Sequence, residues 1–194
     1  MLHPSIPPMN LADAIRTRRS VRQFTSRPVT REELEQLIAA ATLAPNHRLT
    51  QPWRFYVMGP EARRAYGAVL GARKAKKIED PAAAQAMIDK VAAAGVALPA
   101  QIAVAMVLAE NLETREEDYA ATMMAIQNLS LTAVAVGLGT HIKTGAIMED
   151  PRARAALGVP DGERIVSLID IGEPAEQREP LARRGAAEVT AWLP

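Results

Sequence analysis

Residues 14–24 read AIRTRRSVRQF, and in or just beyond that stretch stand Arg16, Arg18, Arg19, Arg22 and Arg27. Arg18, Arg19 and Ser20 put two forked guanidinium groups and a hydroxyl into three residues, the donor set that suits a terminal phosphate dianion. A nucleic-acid backbone, an acidic partner or a phosphorylated cofactor would each supply such an anion. The same residues also suit a helix end, where cations favour the unpaired last carbonyls. The cluster by itself leaves these readings open.

The other chemistry-bearing residues narrow the choice. The histidines His3, His47 and His141 are widely spaced, with no HExxH or similar ligand pattern, so no metal site is expected. The absence of cysteine excludes disulfides, thiolate catalysis and thiolate metal sites. No GxSxG elbow, Walker A loop or strand-following GxGxxG occurs, which leaves serine hydrolysis and phosphoryl transfer without a foothold. An enzyme built this way would take its difficult chemistry from a bound cofactor. Lys plus Arg number 23 against 22 Asp plus Glu, and aromatic residues are 4%. Neither the field nor the stacking surface for nucleic acid is there. The opening MLHPSIPPMN has no basic n-region or apolar run, and the apolar stretches fall short of a membrane span. A soluble cytoplasmic protein is expected.

These residues must be positioned by elements that the sequence also marks. With 48% hydrophobic residues in 194, one sizeable core fits, in a single domain over 1–194. Asn10 with Asp13 opens a short helix that runs out near Arg18–Ser20, leaving the basic cluster at its end. Thr30 and Glu33 form a capping box before the Leu34, Leu37, Ile38, Ala41 stripe, which Pro45 stops. QPWRFYVMG alternates as a strand with one covered face, Trp53, Phe55 and Val57 inward. Helices opening at Pro60 and Asp80-Pro81 follow. AQIAVAMVLAE reads as a central strand apolar on both faces. DYAATMMAIQNLSLTAVAVGLG is a long helix with hardly a hydrophilic side, closed by Gly137 and Gly139, and calls for burial against a second subunit. THIKTG is a short strand, Asp150-Pro151 starts a helix, and RIVSLIDIGEP is a further buried strand. Strands and helices alternate loosely, which is an α+β pattern.

Taken in order, RRSVR, LAPNHRLTQPW, the GLG helix end followed by THIKTGA, and IGEP resemble the FMN-dependent nitroreductase family. The likeness spans nearly the full length and is to the compact members, which lack an extended helical excursion between the central elements. It implies a nitroreductase-like fold: a central mixed, mainly antiparallel sheet flanked by helices, in a domain-swapped homodimer with FMN in each of two interfacial clefts. Carried over by position, Arg18, Arg19 and Ser20 would hold the FMN phosphate and ribityl chain, and Arg22 would reach the ribityl or pyrimidine end or be structural. Arg16 and Arg27 would be surface charges. His47 and Gln51, from the partner chain, would approach the flavin edge, with Leu43 packing on the cofactor. Ile142, Lys143 and Thr144 match the segment beside the phosphate and ribityl groups, Lys143 having a charge to offer. Arg184 falls where many relatives supply another phosphate cation. Many members have Asn two residues before QPW; here that place is taken by Leu49, and His47 stands four residues before Gln51, as in the compact members.

The resemblance implies a ping-pong cycle in which NADH or NADPH passes hydride to the flavin N5 and a small-molecule acceptor, a nitroaromatic or quinone, then takes the electrons. Rival uses of the scaffold are flavin reduction, dehalogenating chemistry or flavin binding without turnover. Neither nucleic acid nor membrane is an expected partner.

Overall fold

Helices here begin where short polar side chains take the first unpaired N–H groups. In a computed structural model that describes residues 9–176, 179 and 181–194, Asn10 accepts from the Asp13 N–H and opens α1 (Leu11–Thr17). The expected capping box is present, Thr30 and Glu33 bonding reciprocally at the head of α2 (Arg31–Ala41). Proline stands in the first turn of α3 (Pro60–Ala75) and α4 (Pro81–Val96), the latter capped by Asp80. Asp150 caps α6 (Pro151–Leu157). The long helix α5 (Leu112–Ala135) starts six residues ahead of its expected start, because Asn111 caps it. Of the two glycines expected to close it, only Gly137 does so, at φ 79°; Gly139 belongs to a strand.

The strands β1 (Trp53–Val57), β2 (Ala100–Val107), β3 (Gly139–Lys143) and β4 (Glu163–Gly172) form one sheet in the order β1-β2-β4-β3, every named pair antiparallel. A lone parallel bridge, Ser20 to Thr140, adds the mixed character. The α+β class and the mainly antiparallel sheet flanked by helices are as the sequence led us to expect.

The sheet is the middle of three layers. On one face, Leu34, Leu37 and Ala41 of α2 and Ala125, Ile126 and Leu129 of α5 close over Ile102, Val104, Ile169 and Ile171. On the other, Tyr66 of α3 and Ala153 and Leu157 of α6 cover Ala103, Ala105, Ile165 and Leu168. Burying a side chain such as Leu37 contributes about 1.5–3 kcal/mol. β1 corrects one expectation. Trp53 and Phe55 join the first core, but Val57, expected inward with them, is exposed at the end of the strand, while Tyr56, and Met58 just beyond β1, pack on the second core beneath α3 and α6.

α5 keeps part of its apolar surface outward. Ala121, Ala125, Leu129 and Ala133 are buried, whereas Leu112, Tyr119 and Met124 are exposed. Thr122 and Ser130, fully buried, return their hydroxyls to the carbonyls of Asp118 and Ile126 one turn back. After residue 181 the chain is exposed, Trp192 and Leu193 included. Among the described residues no helix is long and apolar enough to cross a membrane.

Candidate functional site

The basic segment is fixed by its backbone. Arg18 ends α1, and the chain then extends so that the Val21 N–H donates to the Thr140 carbonyl at 2.9 Å on the outer edge of β3. A few residues on, Thr25 donates to the Glu173 carbonyl and Ala175 to that of Gln23, with Phe24 bridged to Pro174. Gly139 is bare for this reason: a methyl there would run into Val21 and the Pro174 ring. The RRSVR, GLG and GEP motifs, far apart in sequence, therefore meet at one junction.

Arg19 and Val21 line a cavity of about 630 Å³ shared with Val134, Leu138 and Glu173, while the intervening Ser20 is exposed. Arg19 donates to the carbonyls of Arg16 and Arg18 at 2.8 and 2.6 Å, the helix-end role. Its Nε and the Thr140 Oγ1 are buried without a hydrogen-bond partner among the described residues. Arg18 and Arg22 make no ion pair among those residues. Arg16 is paired with Asp13, and Arg27 grips Glu33 with both terminal nitrogens at 3.1 and 3.2 Å.

At the other end of β3, side chains go both ways. Ile142 packs on the first core. The Lys143 ammonium turns to the opposite face and sits 2.7 Å from Asp170 Oδ1, which also accepts from Gln101 Nε2 at 2.6 Å; the His141 ring lies 3.7 Å from Oδ2. Burial pushes the Asp170 carboxyl up, but His141, Lys143 and Gln101 together outweigh it and hold the group below its usual range. The charge of Lys143 is thus matched within the chain. Thr144 is exposed and Gly145 follows at φ 118°. Beyond Thr140, no described main-chain hydrogen bond joins the 18–25 segment to β3, so the edge at Ile142–Thr144 stands open.

The loop after α2 is a separate construction. Leu43 is 81% exposed, and Arg48, Leu49 and Gln51 have φ of 54°, 54° and 44°. Left-handed backbone in such residues costs on the order of 1–3 kcal/mol each and persists only where neighbours enforce it. Here Asn46 Oδ1 accepts the Gln51 N–H at 3.0 Å, Thr50 Oγ1 donates to Asp118 at 2.6 Å, and both Glu117 oxygens lie 2.9 Å from His47 Nδ1. The anchors Glu117 and Asp118 are near the start of α5, whereas Val134, beside Arg19, is near its end. Seventeen helical steps separate Glu117 from Val134, about 25 Å at 1.5 Å per residue. Within one chain, the arginine junction and the His47–Gln51 loop stand too far apart to grip one small ligand.

Arg184 lies in the exposed tail and forms no ion pair among the described residues. A recess of about 880 Å³ opens between α5, α6 and the ends of β2 and β4, lined by Met106, Tyr119, Met148 and Arg164; the Arg164 guanidinium is 5.8 Å from the Tyr119 ring centre. Sequence reasoning missed Glu117, Asp118 and Asp170. Asp118 had a signal: a carboxylate in line with the buried stripe Ala121, Thr122 and Ala125 at helical spacing. Asp170 had none beyond a charge inside an apolar strand.

A model of the Nitroreductase family matches residues 15–173. The chain is 35% identical over 169 residues, 87% of either protein, to the Bacillus subtilis protein named "Putative NAD(P)H nitroreductase YfhC". Among solved structures it resembles a nitroreductase-like family protein from Bacillus cereus at TM-score 0.82 and 32% identity, covering 95% of this chain and 96% of that one. A variant of the FMN and NADPH-dependent nitroreductase NfnB from sphigopyxis sp. strain HMH follows at TM-score 0.78 and 25% identity, covering 95% and 99%.

Proposed function

Because this chain belongs to the nitroreductase family and is an oxidoreductase of that type, we propose that it is an FMN-dependent NAD(P)H oxidoreductase that reduces nitroaromatic or quinone-like acceptors. It would act as a homodimer with FMN in each of two interfacial clefts. The observation that carries this reading is the separation just described: one chain holds its arginine junction and its His47–Gln51 loop at opposite ends of α5, so that a second copy would have to supply the missing half of each cleft. The outward Tyr119 and Met124 and the exposed tail with Trp192 are the surfaces such a pairing would cover, the tail by exchange between subunits.

The donor set fits a flavin mononucleotide. Ser20 is exposed beside the half-buried Arg18, Arg18 and Arg22 make no ion pair among the described residues, and the buried Arg19 Nε and Thr140 Oγ1 have capacity left for a ligand. Arg18, Ser20 and, through Nε, Arg19 would hold the phosphate, with Arg22 and Arg184 as further cations. The open edge at Ile142–Thr144 would take the ribityl chain by its main-chain groups, Lys143 having its side chain held on Asp170. Leu43, His47 and Gln51 of the partner subunit would close over the ring. When bound, FMN supplies the electron relay, taking a hydride from NAD(P)H in one half-reaction and passing the electrons to the acceptor in the next. The protein's part is to bind the phosphate, orient the ring and leave one ring face open.

The test is an absorbance spectrum of the purified protein followed by anaerobic addition of NADH and of NADPH. Flavin bands that bleach with either nucleotide, and return on adding a nitroaromatic, are the expected result. A colourless protein that takes up no added FMN would overturn the reading, and bands that no nucleotide bleaches would reduce it to flavin binding without turnover.

A further inference from the structure

The geometry points to Asp118 and Glu117 of α5 as positioning residues that set the conformation of the His47–Gln51 loop, and so the aim of His47 and Gln51. This rests on the reading of that loop as the flavin-edge contact of the partner subunit.

Three restraints converge on residues 46–51. Asp118, only 4% exposed, accepts the Thr50 hydroxyl at 2.6 Å, a charge-assisted bond rooted in the core beside Thr122 and Ala121. Glu117, the preceding residue, takes His47 Nδ1 at 2.9 Å on both oxygens. Asn46 clasps the Gln51 N–H from within the loop. Arg48 and Leu49 lie between His47 and Thr50, the two residues held by α5, and Gln51 follows directly; these are the three non-glycine residues in left-handed backbone among the described residues. Such residues relax toward the broad allowed regions unless held. The loop is therefore preorganised by the helix beneath it together with its own Asn46.

The His47 contact also selects a tautomer. A carboxylate only accepts, so Nδ1 carries the proton, and in the neutral form of the ring Nε2 is left as the acceptor. An N–H at the edge of a bound heterocycle is the group that such an acceptor would meet.

The test uses the full-length protein and the variants Thr50→Val, Thr50→Ser and Glu117→Gln, with two readouts. One is the FMN dissociation constant from quenching of flavin fluorescence; the other is amide hydrogen exchange over residues 46–51 in flavin-free protein. Thr50→Val should weaken FMN binding about tenfold, the worth of one hydrogen bond to a charged group, and speed exchange within 46–51 alone. Thr50→Ser, which keeps the hydroxyl, should restore both values. Glu117→Gln should weaken binding by less than Thr50→Val, since an amide can still meet the ring nitrogen. Wild-type FMN affinity in Thr50→Val, in a protein that does bind FMN, would overturn the positioning role alone. A wild-type protein that binds no FMN would overturn the flavin reading, and the exchange data would then still decide whether Asp118 pins the loop.

Discussion

The Lys143 ammonium is 2.7 Å from Asp170 Oδ1, and the residue it meets is 5% exposed near the C-terminal end of β4. The cation expected beside the cofactor phosphate is thus paired with a buried anion within its own chain. The pair joins β3 to β4 on the side of α3, with Gln101 of β2 as third member, and so ties the open edge strand to the middle of the sheet.

Removing the anion should therefore be costly. Asp170→Asn leaves Lys143 without its counter-ion, which for a buried pair costs about 3–5 kcal/mol; the partial exposure of Lys143 argues for the low end. Because the folded carboxyl titrates below its unfolded value of about 3.9, its contribution is complete above that pH and is lost as the pH falls through the folded value. Urea unfolding of both proteins at about pH 7 and about pH 3 checks this. The gap between them should narrow in acid, and a constant gap would contradict the assignment.

Tyr66 makes the complementary alkaline prediction. Burial, and then the negative charge of Asp170, push its phenol up to about 12. A raised acid contributes stability that is fully present below the unfolded value of about 10 and is lost as pH rises toward 12. Tyr66→Phe should flatten the fall in stability between about pH 9 and 11. Asp170→Asn should bring the Tyr66 phenol partway back, as read from its ultraviolet titration.

Packing at the junction can be tested by a double-mutant cycle. Gly139→Ala places a methyl against Val21 and should cost about 1–3 kcal/mol by overpacking. Val21→Ala on that background should recover part of the loss, so the two changes should be non-additive in thermal or chemical unfolding. Strict additivity would mean that the two residues do not touch.

Phosphate binding should divide the cations by whether the chain already pairs them. Arg18→Ala with Ser20→Ala should raise the FMN dissociation constant by roughly 10–100-fold, in the range of charge-assisted bonds, with the fold unchanged by circular dichroism. Arg16→Ala and Arg27→Ala, whose charges are spent on Asp13 and Glu33, should leave it within about twofold. Losses at Arg16→Ala and Arg27→Ala as large as that of the Arg18/Ser20 pair would show that only net charge matters.

Met124 tests the assembly. Its exposed side chain on α5 should lie in the subunit contact, and a buried unpaired charge opposes association. The wild-type protein should sediment at twice the 20.9 kDa chain mass, and Met124→Glu should sediment as a monomer with little FMN affinity. A wild-type monomer that binds FMN fully would remove the shared cleft.

What the sequence determined by itself was mostly local. Asn10 with Asp13, Thr30 with Glu33, and Asp150 ahead of Arg152 act across two or three residues, so capping chemistry marks those helix starts wherever the chain goes. The apolar run of β2 announced a central strand because only a strand covered on both faces is uniformly apolar. The order of the motifs was legible too, and with it the family. Tertiary structure decided which groups face each other. Gly137 and Gly139 look alike in sequence, yet one closes a helix with a positive φ and the other makes room for Val21. Arg18 and Arg16 are both cations two residues apart, yet Asp13 pairs with Arg16 while Arg18 makes no ion pair among the described residues. Asp118 meets Thr50 from 68 residues away, and Lys143 is claimed by Asp170 from another strand. Those partners are chosen by how helices and strands stack, a non-local matter that residue types and spacing along the chain do not encode.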